Sequence, residues 1–147
     1  APPPLIAPTV RPHNGGTRMP GRIGRILITA IAVEAIAIIG LVLVVALLGP
    51  SDPDAAQAYA ERVGYWFGPA AGFVLCVVGG WFVSWRLSER HILNGLVLGA
   101  AVAAIDIALL LVSGAAFQLI FVVSNIGRLV AGTIGGWLAS RGTGGAA

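Results

Sequence analysis

Residues 23–48 read IGRILITAIAVEAIAIIGLVLVVALL and are stopped by Gly49-Pro50. A helix crosses the hydrocarbon core of a bilayer in about 20 mostly apolar residues, and this run is long enough to do so. It exceeds the about 7–15 apolar residues of a cleavable leader. No small-residue cleavage site follows it, so it is expected to remain as a helix. Three more stretches of the same kind follow, over about 65–85, 92–112 and 117–140, that over 92–112 stopping near Ser113-Gly114. The expected fold is all-α: a polytopic membrane protein whose four transmembrane helices form one bundle.

Composition agrees with that reading. Of 147 residues, 57% are hydrophobic and 10% charged, against about 25% charged in a soluble domain. So few charges cannot coat a water-facing surface, and the bilayer must cover much of the apolar surface instead. Gly is abundant at 21 residues, as is common in membrane helices. All nine basic residues are Arg, a pattern of base-composition bias. Most of them sit at or near helix ends rather than in one stripe, so the net charge of +3 does not point to nucleic acid. The lone Cys76 lies in an apolar run and forms no intrachain disulfide.

Charge placement sets the orientation, because cytoplasmic loops keep Arg. Arg11, Arg18, Arg22 and Arg25 precede the first span, Arg86 and Arg90 join the second to the third, and Arg141 follows the fourth. The opposite side carries Asp52, Asp54 and Glu61 with only Arg62, and the last connection is uncharged. Both termini are therefore expected in the cytoplasm. Tyr59, Tyr65, Trp66 and Phe67 fall at the outer interface, and Trp81, Trp85 and Trp137 at the inner one, where half-polar rings are favoured.

Residues 1–22 are rich in Pro, Gly and Arg without apolar period and read as a disordered cytoplasmic tail; residues 142–147 are expected to form a flexible tail. In the first loop Ser51 is a candidate cap, with Pro53 and the acids Asp52 and Asp54 suited to a helix start. A short outer helix over about 53–63 is expected, broken from the second span near Gly64 or Gly68-Pro69. The ends of spans two and four are alike: Gly79-Gly80-Trp81 leads to Ser84 and Arg86, and Gly135-Gly136-Trp137 to Ser140 and Arg141. Glu34 and Asp106 each sit in an Ala/Ile context in spans one and three. These likenesses suggest a parallel repeat of two hairpins, with chance similarity as the alternative.

Three pairs of glycines are spaced i, i+4: Gly68 and Gly72, Gly95 and Gly99, and Gly132 and Gly136. Small residues on one face let helix backbones approach in lipid, so these pairs mark contacts within the bundle or between subunits.

Glu34, Asp106 and Arg128 fall inside spans, where one charge costs about 2.5–3.5 kcal/mol on insertion scales. Each is expected to face the bundle interior, water or a partner. At 1.5 Å per residue, Glu34 lies about 15 Å from the inner end and Arg128 about 18 Å, while Asp106 lies about 9 Å below the outer end of its span. Glu34 and Arg128 are thus the expected pair, with Arg128 forking onto the carboxylate through two hydrogen bonds. Ser124 and Asn125 are supporting polar groups. Asp106 is left with a proton, a polar neighbour or a cation. Gln118 falls near the outer end and Asn94 near the inner one.

His13 and His91 have no Cys, Asp or Glu at metal-ligand spacing, so neither a metal nor another cofactor is expected. Phosphate-loop, dinucleotide and nucleophile-elbow patterns are missing, and the chain does not read as an enzyme. The run Gly79-Gly80, Arg86, Asn94-Gly95, Gly99, Gly132 and Gly135-Gly136 resembles a glycine pattern of small four-helix bacterial membrane proteins of uncharacterised function. That resemblance implies a helical bundle of the bacterial plasma membrane and carries no known active site. Glu34 also occupies a place similar to the first-helix Glu of small multidrug-resistance transporters. This chain departs from them in its length, its longer first loop and its Arg in span four.

Two functions are in play. One is a non-enzymatic accessory or scaffold subunit of the bacterial inner membrane, whose partners are the bilayer and other subunits or copies of itself. The alternative is a small proton-coupled or ion transporter using the intramembrane carboxylates. Topology is testable first. On a Cys76→Ser background in intact bacteria, a cysteine at Ala58 should react with a membrane-impermeant maleimide, and one at Gly142 only after lysis. The reverse pattern would invert the orientation.

Overall fold

A computed structural model describes residues 19–86, 90–114 and 118–143. Four helices account for nearly all of it: α1 (Met19–Leu48), α2 (Pro53–Arg86), α3 (His91–Ser113) and α4 (Leu119–Thr143). All four are long and apolar enough to cross a membrane. They alternate in direction, so the Arg-bearing ends of all four gather at one end of the bundle: Arg22 and Arg25, Arg86, Arg90 and Arg141.

Two expectations change at the helix starts. Residues 19–22 and 142–143, read as tail, are helical ends of α1 and α4; the rest of both tails lies outside the described residues. The separate outer helix over 53–63 is instead the beginning of α2, which runs through Gly64, Gly68 and Pro69 without a break. Pro69 has no N–H for the carbonyl four residues back, but a break would leave several backbone groups unpaired in lipid. At 34 residues, α2 is about 51 Å long at 1.5 Å per residue, so its first turns extend past a 30 Å core. Asp52, rather than Ser51, caps it: its Oδ1 accepts the Ala55 N–H at 2.9 Å, with Pro53 in the first helical position.

In the bundle α2 and α3 pack against each other and both neighbour α1 and α4, whereas the backbones of α1 and α4 do not meet. A two-fold axis relating the hairpins would carry the α2–α3 contact onto one between α4 and α1. The packing therefore does not follow the sequence repeat.

Glycine explains how tightly one end closes. A side chain at Gly132 would strike the Gly95 carbonyl and the Gly99 amide, and one at Gly95 would strike the Gly132 carbonyl and the Gly136 amide. Gly136 lies against His91 and Ile92, and Gly80 and Gly135 join α2 to α4 in the same way. Two of the three predicted pairs thus form one α3–α4 seam. The third does not: a Cβ at Gly68 would meet nothing within 4 Å, and Gly72 faces a side chain.

The bundle is closed in one half only. Ile26, Ala30, Val33, Cys76, Val83, Leu98, Val102 and Ala131 form the buried core. All lie toward the Arg-rich end. Beyond Glu34, Gly72, Ala103 and Ser124, in the other direction, no described residue is buried. At the closed end Ser84 Oγ donates to the His91 carbonyl at 2.8 Å, and His91 Nδ1 donates back to the Ser84 carbonyl at 2.7 Å. Arg22 donates to Asn94 Oδ1, tying α1 to α3. Trp81 stacks on Trp85, and Arg141 lies 3.8 Å from the centre of the Trp137 ring.

The seam is directly testable. Gly132→Ala should destabilise the protein by about 1–3 kcal/mol, the cost of overpacking. Gly21→Ala, with open space around its Cβ, should be neutral or stabilising by up to about 1 kcal/mol. Thermal unfolding in mild detergent measures both, and equal midpoints would remove the seam from the account of stability.

Candidate functional site

Three helices each contribute one ionisable side chain at a common level. Met19 to Glu34, His91 to Asp106 and Thr143 back to Arg128 are each fifteen residues, counted from the Arg-rich end. At 1.5 Å per residue each lies about 22 Å up its helix. Counting Asp106 down from Val112 set it too near the outer end, because α3 is the shortest helix and stops sooner on that side.

The side chains converge there. Arg128 Nη1 lies 2.9 Å from Glu34 Oε1 and 2.9 Å from Asp106 Oδ1. Asp106 is therefore not left over, as the sequence suggested, but is the second partner of one guanidinium. The expected two-bond fork onto Glu34 is not formed either. One nitrogen sits between two carboxylates, within ion-pair distance of each but outside hydrogen-bond geometry. Arg128 Nε and Nη1 and Glu34 Oε1 are buried without a hydrogen bond. Attraction holds the cluster while part of its hydrogen-bonding capacity stays unused.

Arg128 reaches Glu34 although α4 and α1 do not pack, and Gly72 is the reason. A Cβ at Gly72 would come within 2.9 Å of Arg128 Nε and 3.2 Å of Nη2. The missing side chain on α2 is the socket through which the guanidinium passes. Sequence spacing pointed to Gly72 as a helix contact, and no local signal distinguishes a glycine that admits a backbone from one that admits an arginine.

Asn125, one turn from Arg128, steadies the second carboxylate. Its Nδ2 donates to Asp106 Oδ2 at 3.1 Å and to the Phe121 carbonyl at 2.8 Å. Ser124 lines a crevice of about 450 Å³ between α2 and α4 that extends from the triad toward the acidic end of the bundle. Glu61, Tyr65 and Gln118 lie near its mouth, Gly68 forms part of its wall, and Asp106 and Arg128 form its floor. The Asp106 side chain is 24% exposed, against 4% for Arg128 and 8% for Glu34. Asp106 is thus the least buried member of the triad, and it lines the crevice. Glu61 and Tyr65 were legible only as loop charge and interface aromatic. Their role as walls depends on α2 continuing unbroken past Gly64.

Among the described residues no three His, Cys, Asp or Glu side chains gather as metal ligands. Compared with protein-family models, curated proteins and solved structures, the chain matches none. The site's own chemistry therefore carries the functional argument.

Removing Arg128 leaves one buried and one partly buried carboxylate facing each other, whereas removing either acid leaves the arginine one partner. Arg128→Met should therefore cost about 3–5 kcal/mol of stability, the range for breaking a buried pair. Glu34→Gln and Asp106→Asn should each cost clearly less. Unfolding in mixed micelles measures the three, and an Arg128→Met variant no weaker than the acid variants would show that the triad does not hold the bundle.

Proposed function

We propose that the chain is a small membrane transport protomer that admits a proton or a small cation from its acidic end to Asp106. The observation carrying this reading is one-sided: a largely apolar crevice ends on the charged pair Asp106 and Arg128, and the half behind them is close-packed. A carrier needs a site reached from one side at a time, whereas a channel needs a continuous path. Two carboxylates and one guanidinium give the triad a formal charge of −1, so it has room for one more positive charge. A cation arriving at Asp106 competes with Arg128 for that carboxylate, and Arg128 keeps Glu34 as its partner. That exchange supplies two states of the same buried cluster. Intramembrane acids of this kind mark proton and ion paths. With the Arg-rich end in the cytoplasm, the crevice faces out of a bacterial plasma membrane.

The second reading is an accessory subunit acting by helix–helix contact. In its favour, only 11% of the α1 membrane stretch is buried within the chain, which leaves a broad surface for a partner helix. The glycine seams are used inside the bundle, so such a partner would pack on the Ile, Leu and Val surface of α1.

Purified protein in proteoliposomes separates the two. Under an imposed membrane potential, the transport reading expects proton or alkali-cation uptake above empty liposomes, abolished by Asp106→Asn and reduced by Glu34→Gln. An inactive wild type, together with a heavier assembly with other polypeptides in native mass spectrometry from its own membranes, would replace transport by the accessory role.

A further inference from the structure

The crevice is larger than a proton or a bare ion requires. Its volume of about 450 Å³ falls in the range of small-molecule pockets, about 300–1,000 Å³. Its wall combines the rings of Tyr65 and Phe121 with Pro69 and Ile120, and it is glycine at Gly64 and Gly68. Charge appears at the two ends, as Glu61 near the mouth and Asp106 beside Arg128 at the floor.

We infer that this crevice binds a small organic cation, with an ammonium group on Asp106 and a compact apolar or aromatic body against Tyr65 and Phe121. The inference deepens the transport reading and rests on it only for the direction of travel. Electrostatics selects the sign. Glu61 and Asp106 outweigh Arg128 by one negative charge among the lining residues, and Glu34 stands directly behind the arginine. An anion would find Arg128, the one guanidinium lining the crevice among the described residues, already held between two carboxylates. Geometry selects the contact. Asp106 is the least buried member of the triad, and its Oδ2 is oriented by Asn125. The floor also holds a group that wants partners, because Arg128 is 96% buried with two nitrogens outside any hydrogen bond. A ligand that draws Asp106 away lets the guanidinium turn fully onto Glu34. The walls select the body, since aromatic faces attract ammonium groups once water is excluded. Glu61 is exposed and accepts from Gln57 Nε2 at 3.0 Å; at the mouth it raises the local concentration of cations at low salt.

The test is calorimetric titration of the full chain in non-ionic detergent with benzylammonium, using benzyl alcohol as the uncharged match in shape. Benzylammonium should bind saturably and benzyl alcohol should not. Asp106→Asn should weaken binding by at least about tenfold, or 1.4 kcal/mol. If that variant fails to fold, Gly68→Leu replaces it. A Cβ there meets open space, so the side chain fills the crevice without disturbing the seam, and binding should be lost with unfolding unchanged. No saturable binding by the wild type, equal binding of the alcohol, or unchanged affinity in Gly68→Leu would each overturn the inference. Binding without any flux in proteoliposomes overturns the transport reading and leaves the site. Proton flux that needs Asp106 and ignores benzylammonium overturns the ligand class and leaves transport.

Discussion

One guanidinium between two carboxylates governs this molecule. Three separate charges at the bilayer centre would cost roughly 8–10 kcal/mol in all, at about 2.5–3.5 kcal/mol each on insertion scales. Bringing Arg128 within 2.9 Å of both Glu34 and Asp106 offsets that cost. It also ties α1 and α3 to α4 at a single level. Buried ion pairs are weak sources of net stability but strong penalties against any arrangement that breaks them. Their clearest contribution here is register. A slide of one helix by a turn would leave a charge unpaired in lipid.

The triad also lies on the border between two kinds of packing. Toward the Arg-rich end, Gly80, Gly95, Gly99, Gly132, Gly135 and Gly136 let backbones meet, and dispersion across close surfaces holds the helices together. Toward the other end no described residue is buried, and the helices leave a crevice. Gly72 belongs to both halves. It continues the small face of α2 and admits the arginine. The site follows from that change of packing: a charged cluster sealed behind and reachable in front.

Much of the fold was legible along the chain. The four spans and the common end of the Arg residues follow from local transfer free energies, which accumulate residue by residue. Gly64, Gly68 and Pro69 suggest a break in α2 because they weaken a helix in water. In lipid an unpaired backbone costs more than a missing N–H, and the helix continues. The likeness of spans two and four is real in sequence but not followed in packing, since nothing local decides whether α1 or α3 takes a place beside α4.

The sequence by itself determined that the chain has four membrane-length helices, that their Arg-rich ends lie together, and that Glu34, Asp106 and Arg128 must be hidden from lipid. These depend on composition and on position along one helix. Only the tertiary structure decided that one arginine serves both acids, that Gly72 is its socket while Gly68 opens a crevice, and that Asp106 is the less buried acid. Those are distances between residues on different helices, and such distances exist only once the helices have packed.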